Sequence, residues 1–335
     1  MRYVVLDKVQ EGDILGRTLL DDTGRILLRD GAELNAKKLD KIKSMNYGGL
    51  YIDDEISKDI ELEDFVPYEL KQTAFRALAT RNIDLCVAVA KKLVDELYNK
   101  TSLAINIIDV KNINGYTINH SINVCINSII LAIAAGMNKT GLEHLAVAAL
   151  LADIGKFEIS NDIWHKPGKL TDMEMQQVME HPKIAFEKLK AYPSISPISR
   201  NAILFSHENL DGSGYYGRMD DEIRIIPRII HLMDSFDALT SVRKHRPAYS
   251  IKESTELLMA SADKYDEALL RLMSRLFPIY PMGMTVTLSN GEKAVVRSNE
   301  HNAVRPIIRL MNTGDLVDLS DNQQYRSVVI QDMDR

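Results

Sequence analysis

Five side chains near the middle of the sequence have the donor atoms of metal ligands. They are His120, Asp153, His181, His207 and Asp234, found in INHSINV, LLADIGK, MEHPK, FSHENLDGSGYYG and HLMDSFDALTS. Imidazole nitrogens and carboxylate oxygens bind divalent first-row metals, and in a helical protein such ligands converge from several helices. The residue types therefore indicate a metal centre, provided that the fold brings the five segments together.

Each of these residues also has an ordinary structural explanation when it is taken alone. A single histidine on a helix is more often a packed or surface residue than a ligand. Asp153 lies just before Gly155 and suits the C-terminal turn of a helix, and His181 before Pro182 suits a helix boundary. The order of the five residues, with the glycine-rich DGSGYYG beside His207, favours a shared site.

Together these segments resemble the HD-GYP branch of the HD-domain metal-dependent phosphohydrolases. The resemblance covers about residues 110–260, through YTINHSINV, LLADIGKFEISNDIWHKPGKLTDMEM, EHPKIAFEKL, SHENLDGSGYYGRMDDEIRIIPRII and MDSFDALTS. It implies a mainly α-helical HD-domain bundle and a place in bacterial second-messenger signalling. Members of this family hydrolyse cyclic di-GMP with two or three metal ions, usually iron or manganese, that assist the attack of hydroxide on phosphorus.

The resemblance also implies how the candidate ligands are shared between two metals. His120, Asp153 and Asp234 would bind one ion, and Asp153, His181 and His207 would bind the other. Asp153 suits the bridging position because its two oxygens can bind two ions. In the family pattern Asp153 and Lys156 belong to the catalytic site, with Lys156 reaching a phosphate of the dinucleotide.

The sequence departs from the family pattern at four positions. Ala152 stands where the family has the histidine of its HD pair, and Ser206 stands where it has another histidine. Tyr216 replaces the proline of the Gly-Tyr-Pro signature, and Tyr116 stands where some members have a glutamate that helps to hold a third metal. Loss of one imidazole from each metal should lower affinity by at least the roughly 10–100-fold known for outer-shell partners.

A nearby histidine offers a replacement ligand. His231 lies three positions before Asp234, so a helix would place both side chains on similar faces. A histidine packed at the cavity wall is the more ordinary role for such a residue. His144 lies too far along its helix from Ala152 to substitute for the missing ligand.

The resemblance implies that a phosphate-binding surface is retained. Lys156, Tyr215, Arg243 and Arg246 match family positions that contact the dinucleotide. Arginine forks fit phosphate oxygens well, and RKHR is the most basic short run of an otherwise acidic chain. The alternative is a solvated helix end, where basic side chains favour the helix dipole.

Composition limits the partners. The net charge of −6 argues against DNA binding, which needs a basic surface. Cys86 and Cys125 lie far apart in apolar runs and predict core thiols in a reducing compartment. The N-terminus lacks a signal-peptide pattern, and the apolar run SIILAIAAG is too short to span a bilayer. We therefore expect a cytoplasmic protein without membrane insertion.

Hydrophobic periodicity divides the chain into four parts. We expect a small α+β domain at 1–56, a linker at 57–66, a helical domain at 67–280 and a β-rich tail at 281–335. The turns DDTG and SNGE predict hairpins in the first and last parts. Within the helical part, MNKTG predicts a helix stop followed by a new N-cap at Thr140.

Two functions remain open at this point. The first is a degenerate family member that binds cyclic di-GMP or a partner protein with little or no hydrolysis. The second is an active phosphodiesterase that converts cyclic di-GMP to pGpG or GMP. The expected cofactor is iron or manganese at a reduced one- or two-metal site, or none. A scaffold or homodimerisation role would need no nucleotide.

Overall fold

A computed structural model describes most of the chain. The described residues are 1–21, 25–45, 47–62, 66–100, 116–164, 166, 168–241, 248–299 and 302–334. The basic residues Arg243 and Arg246 lie outside these ranges. The side chain of Tyr116 also lies outside the description.

The N-terminal part combines short strands with one helix. Its elements are β1 (Arg2–Val5), β2 (Ile14–Leu15), β3 (Leu19–Leu20), β4 (Ile26–Leu28), α1 (Ala36–Ser44) and β5 (Gly49–Asp53). Strands β1, β5 and β2 form an antiparallel sheet, and β3 pairs with β4 in the predicted hairpin. The side chain of Asn35 caps α1 by accepting a hydrogen bond from the Lys38 amide.

The middle of the chain is helical, as the sequence predicts. Its helices are α2 (Tyr68–Ala79), α3 (Ile83–Tyr98), α4 (Tyr116–Ala134), α5 (Lys139–Leu151), α6 (Asn161–Trp164), α7 (Asp172–Met179), α8 (His181–Leu189), α9 (Pro197–Leu204), α10 (Ile225–Thr240), α11 (Ile251–Ala260) and α12 (Glu267–Leu276). The predicted N-cap at Thr140 is wrong, because α5 begins two residues earlier than that cap requires. The side chain of Asn138 accepts the hydrogen bond from the Gly141 amide instead.

Helix α4 lies at the centre of the helical core. It packs against α5 and α10, and residues such as Ile129 and Leu131 are fully buried. Among the described residues, this helix alone is long and apolar enough to cross a membrane, over Thr117–Ala134. The apolar part of α4 is thus longer than the run SIILAIAAG. Its burial at the centre of the helical core explains why it is so apolar.

The C-terminal part is a five-stranded antiparallel sheet. Its strands are β6 (Thr285–Leu288), β7 (Lys293–Ser298), β8 (Ile307–Leu310), β9 (Leu316–Asp318) and β10 (Ile330–Met333), in the order β10-β6-β7-β8-β9. Strands β6 and β7 form the hairpin predicted from SNGE. The mainly α-helical fold with strand-rich ends is therefore confirmed.

The two strand-rich ends contact each other. The Tyr3 amide donates to the Gly283 carbonyl at 2.8 Å, and the Tyr3 side chain packs in the same apolar cluster as the C-terminal strands. Ile60 and Leu62, within the stretch expected to be a linker, are buried in this cluster. We keep the division into domains as a prediction, with residues 57–62 packed against the C-terminal sheet.

Candidate metal centre

The five candidate ligands converge from five elements of the helical part. His120 lies on α4, Asp153 follows α5, His181 opens α8, His207 follows α9, and Asp234 lies on α10. Their donor atoms form two groups that share Asp153: one with His120 and Asp234, the other with His181 and His207. The donor atoms of each group lie within 4.8 Å of one another, so each group could hold one metal ion.

Gly155 allows the close approach of two of these elements. A Cβ atom at this position would lie 2.0 Å from the carbonyl oxygen of His181, which is far inside contact distance. Only glycine therefore lets the short 3₁₀ turn Ile154–Glu158 pack against the start of α8. This contact brings His181 beside Asp153.

In the first group, His120 lies between two carboxylates. Its Nε2 is 2.8 Å from Asp234 Oδ1, and its Nδ1 is 2.7 Å from Asp237 Oδ2. Burial lowers the pKa of His120, but the hydrogen bonds to Asp234 and Asp237 outweigh burial and raise the pKa to about 9. Without a metal, His120 is therefore an imidazolium that balances these two carboxylates.

Asp153 faces both groups. Its Oδ2 accepts a hydrogen bond from Lys156 Nζ at 2.6 Å. Burial raises the pKa of Asp153, but the charge of Lys156 and the nearby imidazoles hold that pKa well below its usual range. Its Oδ1 is buried, and within the described parts of the chain it has no hydrogen-bond partner.

In the second group, two imidazoles point at each other. His181 Nδ1 donates to the Val178 carbonyl at 2.7 Å, which leaves Nε2 as the lone-pair nitrogen of the neutral ring. This Nε2 lies 3.1 Å from His207 Nε2 and 3.5 Å from Asp153 Oδ1. Burial lowers the pKa of His207 to about 3, so the ring is neutral.

A small cavity is lined by four of the candidate ligands: His120, Asp153, His207 and Asp234. The two positions where the family has a further histidine also line it. Ala152 and Ser206 line it with Val124, Ala149 and Ile230. The Ser206 hydroxyl donates to the Ile203 carbonyl at 2.9 Å, so its hydrogen is used at the C-terminal end of α9. The cavity volume is about 10 Å³, which is room for about one water molecule.

A buried carboxylate shapes the glycine-rich loop. Glu208 accepts hydrogen bonds from the backbone amides of Tyr216 and Arg218, at 2.8 and 2.6 Å. Gly214 is required, because a Cβ there would lie 2.5 Å from the Glu208 Cα. The loop thereby places the Tyr215 ring parallel to the His207 ring, with 4.8 Å between their centroids.

His231 does not join either ligand group. Its Nε2 lies 2.9 Å from Asn209 Oδ1, and its ring stacks on Tyr265. His144 also lies elsewhere, where its Nδ1 contacts the Ser196 hydroxyl. Both histidines therefore serve packing and local hydrogen bonding in this structure.

Sequence reasoning missed two partners that orient the imidazoles. Asp237 holds His120 Nδ1, and the Val178 carbonyl holds His181 Nδ1. Such outer contacts fix the tautomer and direction of a ligating histidine. Asp237 had a sequence signal, because it lies three residues after Asp234 in DSFDAL on the same helix. The Val178 carbonyl had none, since every residue carries one.

Comparison with known proteins finds relatives that are named as phosphodiesterases of cyclic dinucleotides. A family described as "HD domain" matches residues 103–269. The chain is 30% identical over 214 residues to the cyclic di-GMP phosphodiesterase PA4108 of Pseudomonas aeruginosa, covering 62% of this chain and 52% of that protein. It is 31% identical over 217 residues to the 3'3'-cGAMP-specific phosphodiesterase 3 of Vibrio cholerae, covering 64% and 46%. The chain thus spans about half the length of these curated relatives.

A solved structure shares the fold. Bd1817, described as a HDG"Y"P protein from Bdellovibrio bacteriovorus, aligns with a TM-score of 0.53 at 17% identity, covering 81% of this chain and 97% of that chain. At this identity the likeness concerns the fold alone. The matched model, which spans about half of the chain, shows that this chain belongs to the HD-domain family.

Proposed function

We propose that this chain binds cyclic di-GMP at the candidate metal centre and hydrolyses it little or not at all. One observation carries the proposal: Lys156 and Tyr215 lie beside the two ligand groups, whereas Ala152 and Ser206 lie where each group would need a further ligand. The sequence thus keeps the residue types that the family pattern uses to contact phosphate, whereas two of its metal ligands are replaced.

The relatives support a cyclic dinucleotide as the ligand. Those named above act on cyclic di-GMP and on 3'3'-cGAMP, which share a ring of two nucleotides joined by two phosphodiesters. A phosphodiester needs cationic donors, and the Lys156 ammonium group lies 2.6 Å from Asp153, which lines the cavity. The neutral ring of Tyr215 offers a flat surface on which a base can stack.

The residues present fit a metal ion, although they do not complete two sites. Asp153 Oδ1, which has no hydrogen-bond partner among the described residues, and the facing Nε2 atoms of His181 and His207 are donor atoms that a cation would bring together. His120 and Asp234 would be the donors on the other side. A bound divalent ion would supply positive charge that polarises a phosphodiester and lowers the pKa of water. The protein would orient the phosphate with Lys156 and exclude water with its buried walls.

Calorimetry with cyclic di-GMP tests the proposal directly. We expect saturable binding by the full chain and at least a 10-fold loss of affinity in Lys156→Gln. Lys188→Gln is the matched control, since Lys188 pairs with Glu158 on the surface. No binding by the unmodified chain would refute the proposal and leave a scaffold or dimerisation role.

An active phosphodiesterase is the second candidate. It is favoured because all five candidate ligands lie together around Asp153. Incubation with cyclic di-GMP and Mn²⁺ separates the candidates: we expect no pGpG or GMP beyond background, whereas steady turnover would favour the enzyme.

The variant Ala152→His with Ser206→His should raise metal content if the two missing imidazoles limit binding. No rise would mean that the small cavity, with its apolar wall, excludes the new rings.

A further inference from the structure

The glycine-rich loop, residues 211–217, carries Tyr215 and Tyr216. We propose that Tyr216 is a positioning residue: its backbone amide, which a proline would lack, holds this loop so that the Tyr215 ring lies against His207 before any ligand binds. The inference rests on the proposed function in that Tyr215 belongs to the same site. The position of the ring can, however, be measured without any nucleotide, so the two can fail separately.

The backbone amide of Tyr216 binds a buried carboxylate. It donates to Glu208 Oε1 at 2.8 Å, while the Arg218 amide donates to Glu208 Oε2 at 2.6 Å. Glu208 is 2% exposed, so water does not readily replace a lost donor. A proline at position 216 has no N–H and would remove this hydrogen bond from Oε1. Tyr216 therefore gives the loop a contact that the Gly-Tyr-Pro signature cannot make.

The side chain of Tyr216 adds a contact between the loop and α7. Its hydroxyl donates to the carbonyl of Met179, the last residue of α7, at 3.4 Å. Burial raises the pKa of Tyr216 to about 12, so the hydroxyl keeps its hydrogen at neutral pH. At 3.4 Å this bond is long for a hydroxyl donor. We therefore assign the larger part of the positioning effect to the amide.

The backbone of Tyr215 is held on both sides. On the N-terminal side, Gly214 packs so closely that a Cβ would lie 2.5 Å from the Glu208 Cα. On the C-terminal side, the Tyr216 amide is bound to the Glu208 carboxylate. The Tyr215 ring thereby lies at an angle of 17° to the His207 ring. A ring that is ordered in advance costs less entropy when a base stacks on it, which raises affinity.

Separate hydrogen bonds hold the other end of the loop. Asn209 Nδ2 donates to Ser213 Oγ at 2.9 Å, and Asp211 Oδ1 accepts from the Ser213 amide at 2.9 Å. These bonds do not involve Tyr216. We therefore expect that loss of the Tyr216 amide frees the part of the loop next to it without unfolding the whole loop.

Two variants separate the amide from the side chain. Tyr216→Ala and Tyr216→Pro both lose the ring, but only Tyr216→Pro also loses the amide. In full-length protein with isotope-labelled histidine and no paramagnetic metal, the ring current of Tyr215 shifts the NMR signals of the stacked His207 ring. The variant Tyr215→Leu gives the position of these signals without the ring current, and circular dichroism checks that each variant folds. We expect Tyr216→Ala to keep most of the shift and Tyr216→Pro to lose most of it; equal shifts in the two variants would overturn the inference.

The same two variants should differ in their affinity for cyclic di-GMP. Apparent affinity falls in proportion to the fraction of molecules in which the ring is in place. We expect about tenfold weaker binding in Tyr216→Pro and less than about threefold weaker binding in Tyr216→Ala, measured by calorimetry. Unchanged affinity in Tyr216→Pro would overturn the inference and leave the proposed function intact. No binding by the unmodified chain would refute the proposed function, and the NMR shift would still decide the inference.

A measurement on the unmodified chain covers the case in which Tyr216→Pro fails to fold. Hydrogen exchange without nucleotide should be slow at the Tyr216 and Arg218 amides, because both are bound to a buried carboxylate. Exchange of the Tyr216 amide as fast as in an unfolded chain would overturn the inference.

Discussion

Asp153 and Asp59 are both carboxylates among cationic side chains, but they differ in exposure to water. The Asp153 side chain is 6% exposed and has one short contact, to Lys156 at 2.6 Å. The Asp59 side chain is 38% exposed and has better geometry, with both oxygens bound by Arg309 at 2.6 and 2.8 Å and one also by Arg297. Asp59 joins residues 57–62 to the C-terminal sheet, whereas Asp153 lies at the centre of the candidate site.

This difference shows that contact geometry alone does not set the energy of an ion pair. Water screens the charges around Asp59, so each partner can be lost at little cost. Around Asp153, removal of one charge leaves the other buried without compensation, which is far more costly. Each charge in the candidate site therefore depends on its neighbours for stability, whereas the charges at the junction between the strand-rich ends do not.

The largest effect is expected when the buried pair is broken at Lys156. In the metal-free chain, Lys156→Met keeps the length of the side chain but removes the cation closest to the buried Asp153 carboxylate. We expect the free energy of unfolding to fall by about 3 kcal/mol in urea denaturation at pH 7. Added Co²⁺ or Zn²⁺ should recover part of this loss, because a metal ion would supply the missing charge.

The matched control is Lys188→Met, in which an exposed pair with Glu158 is lost. Its unfolding free energy should change by less than about 1 kcal/mol. Equal losses in the two variants would mean that burial does not distinguish these pairs, and the comparison would fail.

A somewhat smaller effect is expected from the backbone that positions the site. In Gly155→Ala, the new Cβ would press on the His181 carbonyl and push α8 away from Asp153. We expect about 2 kcal/mol of destabilisation and weaker metal binding together. Gly48→Ala is the control, because its Cβ would meet only the Tyr3 hydroxyl at 3.4 Å. A Gly155→Ala variant with unchanged unfolding and metal affinity would show that the contact of the 3₁₀ turn with α8 does not position the ligands.

The sequence predicts the placement of these groups better than their energetics. Helical periodicity and the order of five motifs predict that His120, Asp153 and His181 lie in one helical region, and the structure brings them together. Whether they bind metal stays a prediction. Ala152 and Ser206 are visible as missing donors in the sequence, but the cavity they leave depends on packing by Val124 and Ile230.

Other features could not be predicted because they depend on tertiary contacts. The tautomer of His181 follows from the position of one carbonyl, which no local pattern specifies. The stretch 57–62 is acidic enough to predict a linker, yet Ile60 and Leu62 are buried because the C-terminal strands offer an apolar surface. The proposed contacts of Arg243 and Arg246 stay predictions, since these residues lie outside the described parts of the chain.

The smallest effect is expected at the junction, from Asp59→Asn. Burial raises the pKa of Asp59, but the hydrogen bonds from Arg309 and Arg297 outweigh burial and lower the pKa. A lowered folded-state pKa means that the stabilisation is present above the unfolded value of about 4 and is lost as the pH falls through the folded value. We expect a loss of about 0.5 kcal/mol at pH 7, which shrinks in 1 M NaCl and at pH below about 4. A loss above about 2 kcal/mol that salt does not reduce would show that this junction behaves like the buried site, because only desolvated charges resist screening.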